Sequence, residues 1–130
     1  MLKIFFLSSM IALTLSAQKN CRNNNNNKES CFKGRLEIKA LCSNYTIKVL
    51  QGNIDTTLVS ANWIDENTGK SYTNVFALDS RCSFPKEMQQ GEEFYFTIRE
   101  NKDKNCIVCM AYYPVPPKRL SISVLKTPCP

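Results

Sequence analysis

From Cys31 onward the chain repeats one arrangement, an apolar residue followed by a polar one. Leu36, Ile38, Ala40 and Cys42 alternate with Arg35, Glu37 and Lys39. After a phase shift at Ser43-Asn44, Tyr45, Ile47 and Val49 continue against Thr46 and Lys48. Val59, Ala61 and Trp63 alternate with Ser60 and Asn62, and Tyr72, Phe76 and Leu78 follow with Cys82 in phase. Phe94, Phe96 and Ile98 then alternate with Tyr95, Thr97 and Arg99, and Leu120, Ile122 and Val124 with Ser121 and Ser123. Successive side chains of a strand point to opposite faces, so this period of two predicts strands with one buried and one wetted face. In this phase Trp63 counts as a core residue. No 3.6-residue period persists, so the expected class is all-β with at most one short helical turn, at Lys86–Gln90 between Pro85 and Gly91.

Turn chemistry separates the runs. Asp65 to Lys70 reads as a hairpin connection in which Gly69 supplies positive φ. Gln51-Gly52-Asn53 ends the first long run, Asn101 to Asn105 is a polar turn, and Pro114 to Pro117 breaks the last pair of strands. A long first strand bent at mid-length, a Trp-bearing hairpin and a connector before a closing pair resemble an OB-type five-stranded barrel over about residues 34–125. A β-sandwich of six or seven strands fits the same alternation. The stretch Asn62-Trp-Ile-Asp-Glu-Asn-Thr-Gly-Lys, with Asn74-Val-Phe-Ala-Leu after it, is similar to small uncharacterised secreted proteins of Bacteroidota-type bacteria. That resemblance implies a location and no activity.

The first thirty residues are of another kind. Lys3 precedes an apolar run from Ile4 to Leu15, and Ser16-Ala17 closes it, the layout of a secretory signal peptide over residues 1–17. The run is too short to span a bilayer comfortably, so no transmembrane anchor is expected after cleavage. Residues 18–30 hold Cys21, five consecutive asparagines and no other apolar residue, which predicts a flexible tether. Cys21 lacks the preceding small residues that lipid attachment needs. A single β domain is expected over 31–130, in a secreted or periplasmic protein.

Composition narrows the chemistry. There are 17 Lys and Arg against 11 Asp and Glu, and only Lys3 falls in the leader. The excess is diffuse: Lys33, Arg35, Lys39 and Lys48 alternate with apolar residues, while Arg99, Lys102 and Lys104 are diluted by Glu100 and Asp103. No dense basic run exists to neutralise many phosphates, so nucleic acid is not the expected partner; an extracellular protein or glycan is. The chain has no histidine. Ser-His-Asp and Cys-His catalysis, and histidine-based zinc hydrolysis, therefore lack their central group. Glycines 34, 52, 69 and 91 stand alone, so no phosphate-cradling loop is present. Glu92 and Glu93 are adjacent and would face opposite sides of a strand, a poor start for a carboxylate pair across a cleft. Neither an enzyme nor a cofactor or metal site is expected.

Seven cysteines in an exported domain of this size predict a disulfide framework with one sulfur left over. Cys31, Cys42, Cys82, Cys106, Cys109 and Cys129 are the structural candidates, and Cys21 is the candidate free thiol. The expected pairing joins Cys42 to Cys82, and Cys129 to one of Cys106 and Cys109, with Cys31 taking the other. Cys106-Ile-Val-Cys109 has the spacing of a dithiol that exchanges disulfides, which supplies the alternative function, a thiol-disulfide redox protein. Its β-branched centre places it instead in or entering a strand, where the two sulfurs face apart and staple to separate partners. Tyr112, Tyr113, Pro114, Pro116, Pro117, Lys118 and Arg119 combine aromatics, stiffening prolines and cations on one connection, and are the candidate binding residues. The module is expected to bind rather than catalyse, in its most specific form as an inhibitor-like domain. Asn44-Tyr45-Thr46 fits the N-glycosylation triplet, which would require Asn44 to face water if the host glycosylates.

Overall fold

Residues 30–130 are described in a computed structural model of the chain. The expected leader, Cys21 and all of the asparagine tether except Ser30 lie outside the described residues. The alternating runs form six strands: β1 (Cys31–Lys39), β2 (Tyr45–Gln51), β3 (Ser60–Ile64), β4 (Ser71–Leu78), β5 (Glu93–Arg99) and β6 (Arg119–Leu125). In β1 buried and half-buried residues alternate at every position. No helix among the described residues is long and apolar enough to cross a membrane.

The pairings return on themselves. β1 lies antiparallel between β2 and β5, β5 pairs with β6, β6 runs parallel to β4, and β4 pairs back to β2. The β4–β6 seam is short, Ala77 opposite Arg119 and Leu78 opposite Leu120, and two further backbone bonds extend it: Ala77 N–H to the Lys118 carbonyl and Asp79 N–H to that of Leu120. The fold is thus all-β, as the alternation predicts, and its sheet wraps into an uneven ring instead of opposing two flat layers. β3 stands outside the ring on β4 alone, joined to it by the expected Asp65–Lys70 hairpin with Gly69 at φ +69°.

Inside the ring, Phe32, Phe76, Phe94 and Phe96 pack with Leu36 and Ile47. Ring centroids 5.4–5.9 Å apart link Phe32, Phe76 and Phe94 to Phe96, and Phe84 extends the contact from Phe94 to Tyr45. Gly34 permits this, because a Cβ there would stand 2.9 Å from the Phe96 ring. The β1–β2 register slips between Leu36 and Ile38, and Ile38 joins a second, smaller cluster with Tyr72 and Val75.

Trp63 belongs to that smaller cluster, half-buried against Tyr72, rather than to the main core. Ala61 is exposed although it is in phase with Val59, because β3 lies outside the ring. The one helical turn that the sequence allows at Lys86–Gln90 does not form. Two tight turns replace it, Met88 N–H to the Pro85 carbonyl and Glu92 N–H to that of Gln89. The Lys39 ammonium takes the Lys86 carbonyl at 3.1 Å, the oxygen that Gln90 N–H would need in a helical turn, and also the Met88 carbonyl at 2.7 Å. The phase break at residues 43–44 is a single 3₁₀ turn, Leu41–Ser43, in which Cys42 and Ser43 adopt positive φ.

Candidate functional site

Between β5 and β6 the chain runs through residues 100–118 without a strand. Pro114, Pro116 and Pro117 have no N–H to give a sheet ladder, and the apolar run Ile107–Tyr113 before them does not become the strand its composition suggested. Instead the connection is tied down from both sides. Cys106 bonds Cys82, Cys109 bonds Cys42, and Cys31 bonds Cys129. The six described cysteines therefore pair with one another, but none of the three expected pairings occurs. Ring closure is the reason. β5 lies between β1 and β6, so the segment after β6 returns to the start of β1, where the Cys129 sulfur also meets the Phe32 carbonyl. Cys106 and Cys109 do staple to separate partners.

Three further anchors hold the connection. The Tyr113 hydroxyl donates to the Asp65 carboxylate at 3.2 Å, and Asp65 is buried with Asn67 N–H and the Thr68 hydroxyl as additional donors. Burial, and then the charge of Asp65, push the Tyr113 phenol above its ordinary range. Asn44 is 8 % exposed and its amide donates to the Leu41 and Ala111 carbonyls, both at 3.0 Å. Asn44 therefore does not face water as a glycosylation acceptor must; it is a strut between two loops. Pro114 and Pro116 are buried. Of the candidate binding residues, then, Tyr113, Pro114 and Pro116 serve as supports, whereas Tyr112, Pro117, Lys118 and Arg119 are exposed.

Of the large side chains those supports display, only Tyr112 was singled out from the sequence. Ile107 is 93 % exposed, Met110 95 % and Tyr112 81 %. Leu41, in the turn bonded through Cys42 to Cys109, is exposed as well. Beside Ile107 opens a cleft of about 640 Å³ between the Leu41–Ser43 turn, the connector around Arg81–Gln89 and residues 107–109. Its walls are apolar at Tyr45, Phe84 and Val108; Lys39, Arg81 and Lys86 line it, and no carboxylate does. Neither Arg81 nor Lys86 takes part in an ion pair among the described residues. The signal in the sequence for Ile107 and Met110 was the apolar stretch Ile107-Val-Cys-Met, whose β-branched start read as a strand.

The acidic residues are spent elsewhere. Asp103 accepts from the backbone N–H groups of Cys82 and Ser83, the Ser83 hydroxyl and Arg99. Partial burial raises its carboxyl, but the hydrogen bonds from Arg99 and Ser83 outweigh that and hold it below the usual carboxylate range. Asp79 accepts from Asn101 and Ser121. Glu93 pairs with Lys33, whose hydrogen bond lowers its carboxyl, while Glu92 accepts from Gln89 N–H. No two of these carboxylates line the cleft beside Ile107. Comparison of the chain with protein-family models, with curated proteins and with solved structures finds no match.

Proposed function

We propose that this protein is an exported, non-catalytic binding module that makes its contact through the loop at residues 106–112. The observation that carries the reading is the near-complete exposure of Ile107 and Met110 on a loop clamped by two disulfides. Burying one such side chain against a partner is favourable by about 1.5–3 kcal/mol. A mobile loop would lose part of that gain in ordering itself. Here the two sulfur bridges, the Tyr113–Asp65 bond and the Asn44 strut order it in advance. Three intramolecular disulfides fit an oxidising extracellular or periplasmic setting, and the signal-like leader accounts for how the chain reaches it. The sulfurs of the Cys106–Cys109 doublet are each committed to a different partner, which favours a bracing role over exchange.

Photo-crosslinking on intact cells of the exporting organism tests this. A crosslinker is placed at Met110 or, as a control, at Asn53, which follows β2 at the far end of the β1–β2 hairpin. Saturable crosslinks are expected from position 110 alone, competed by unlabelled native protein and not by the Ile107→Asp/Met110→Asp variant. Equal crosslinking from position 53, or equal competition by the variant, would overturn the reading.

A further inference from the structure

The disulfide-clamped loop supports a more specific conclusion, which rests on its being the contact surface. We infer that the surface it meets is an anionic lipid bilayer, with the loop entering the boundary between headgroups and acyl chains.

The apolar side chains are the first reason. Ile107, at the edge of the cleft, and Met110 project into solvent at 93 % and 95 % exposure, and Leu41, exposed on the opposite edge of the cleft, stands in the turn bonded to the same loop. Long aliphatic side chains standing almost wholly in solvent suit insertion into hydrocarbon, and an exposed Tyr112 suits the interface, where an aromatic ring keeps its hydroxyl wet. Charge is the second reason. The only acid between Asn101 and Tyr113 is Asp103, and its carboxylate is turned onto Arg99 and Ser83. Its neighbours Lys102 and Lys104 remain exposed, so this stretch offers water its cations and withholds its acid. The cleft beside Ile107 continues the pattern, with Lys39, Arg81 and Lys86 along it and no carboxylate. Lys39 is fixed there by the Lys86 and Met88 carbonyls, while Arg81 and Lys86 have no acidic partner among the described residues.

Together these give an apolar tip flanked by cations, the arrangement by which peripheral proteins meet anionic membranes. The headgroup phosphate lies in the cleft, and the tip enters only as far as the acyl boundary. A disulfide-bound loop whose backbone carries open polar groups goes no deeper. Binding is reversible and sensitive to salt.

Co-sedimentation with vesicles tests the inference, using phosphatidylcholine alone and phosphatidylcholine mixed with phosphatidylglycerol. The native protein is expected to sediment with the mixed vesicles only, and to be released at high salt. Ile107→Asp/Met110→Asp and Arg81→Gln/Lys86→Gln, each checked for an unchanged melting temperature, are each expected to lower partitioning by about tenfold or more. Free glycerol phosphate in excess is expected not to displace the protein. Equal binding to neutral vesicles, indifference to the tip substitutions, or displacement by free glycerol phosphate would overturn it. Failure to sediment while Met110 still gives competed crosslinks on cells would leave the contact surface standing and assign it to a protein or glycan.

Discussion

Removing one disulfide at a time, by paired cysteine-to-serine substitution, tests how the three bridges share their work. Their sequence separations are 98 for Cys31–Cys129, 67 for Cys42–Cys109 and 24 for Cys82–Cys106. Taken separately, loops of those lengths restrict the unfolded chain by about 4.7, 4.4 and 3.5 kcal/mol on the chain-entropy account. The bridges enclose one another, however, which shortens the effective loops. With the others intact, the unfolded path from Cys42 to Cys109 crosses the Cys82–Cys106 bridge and spans about 45 residues, equivalent to about 4.0 kcal/mol. The path from Cys31 to Cys129 crosses the Cys42–Cys109 bridge and spans about 33 residues, equivalent to about 3.7 kcal/mol. Cys82–Cys106 keeps its own short loop. The three paired variants should therefore lose nearly the same stability, about 3.5–4 kcal/mol each, and melt about 15–30 °C lower. Guanidinium unfolding without reductant measures this, and a rising m-value reports the expanded unfolded chain. A loss from Cys31→Ser/Cys129→Ser about 1 kcal/mol or more beyond that from Cys82→Ser/Cys106→Ser, the gap that separate loops predict, would refute the nested-loop reasoning, as would any bridge worth less than about 1 kcal/mol.

Three other outcomes follow from particular contacts. Gly34→Ala should cost about 1–3 kcal/mol in the same unfolding experiment, because the new methyl meets the fully buried Phe96 ring at 2.9 Å and the Lys48 carbonyl at 3.3 Å; a neutral result would mean that the core yields there. Tyr113→Phe should cost about 1–2 kcal/mol and speed amide exchange across residues 106–112, since it removes the bond to Asp65 while leaving that carboxylate two other donors; unchanged exchange would remove Tyr113 as an anchor. Asp103 has a folded pKa below its unfolded value, so its stabilisation is complete above the unfolded value of about 3.9 and fades as pH falls below it. Asp103→Asn should lower the melting temperature at neutral pH and reduce its fall in acid, only in part because Asp55 and Glu93 are shifted the same way; identical acid slopes would exclude it.

Much of the fold was readable residue by residue. Alternation in Arg35–Lys39 and Phe94–Arg99 marks strands because their side chains sort by face. The Asp65–Lys70 segment carries the turn residues of the hairpin it forms. The phase break at Ser43-Asn44 coincides with the 3₁₀ turn. The errors share a cause, which is that neighbours distant in sequence changed the environment. Ala61 kept its phase but lost its cover, since β3 sits outside the ring. Lys86–Gln90 had room for a helical turn until Lys39 took the Lys86 carbonyl. Asn44 matched a surface triplet and became a buried strut when Ala111 came within reach.

A strand's period, a turn's glycine and the absence of histidine are properties of short stretches or of composition, so the amino-acid order alone settles that this is an all-β chain without imidazole chemistry. Cysteine pairing is different, because it depends on which loops the closing sheet brings to the same place. The same closure left Ile107 and Met110 in water, folded Asp103 inward between two exposed lysines and opened a cation-lined cleft beside them. These arrangements join residues separated by a few tens to nearly a hundred positions, a distance over which no local pattern of side chains carries information.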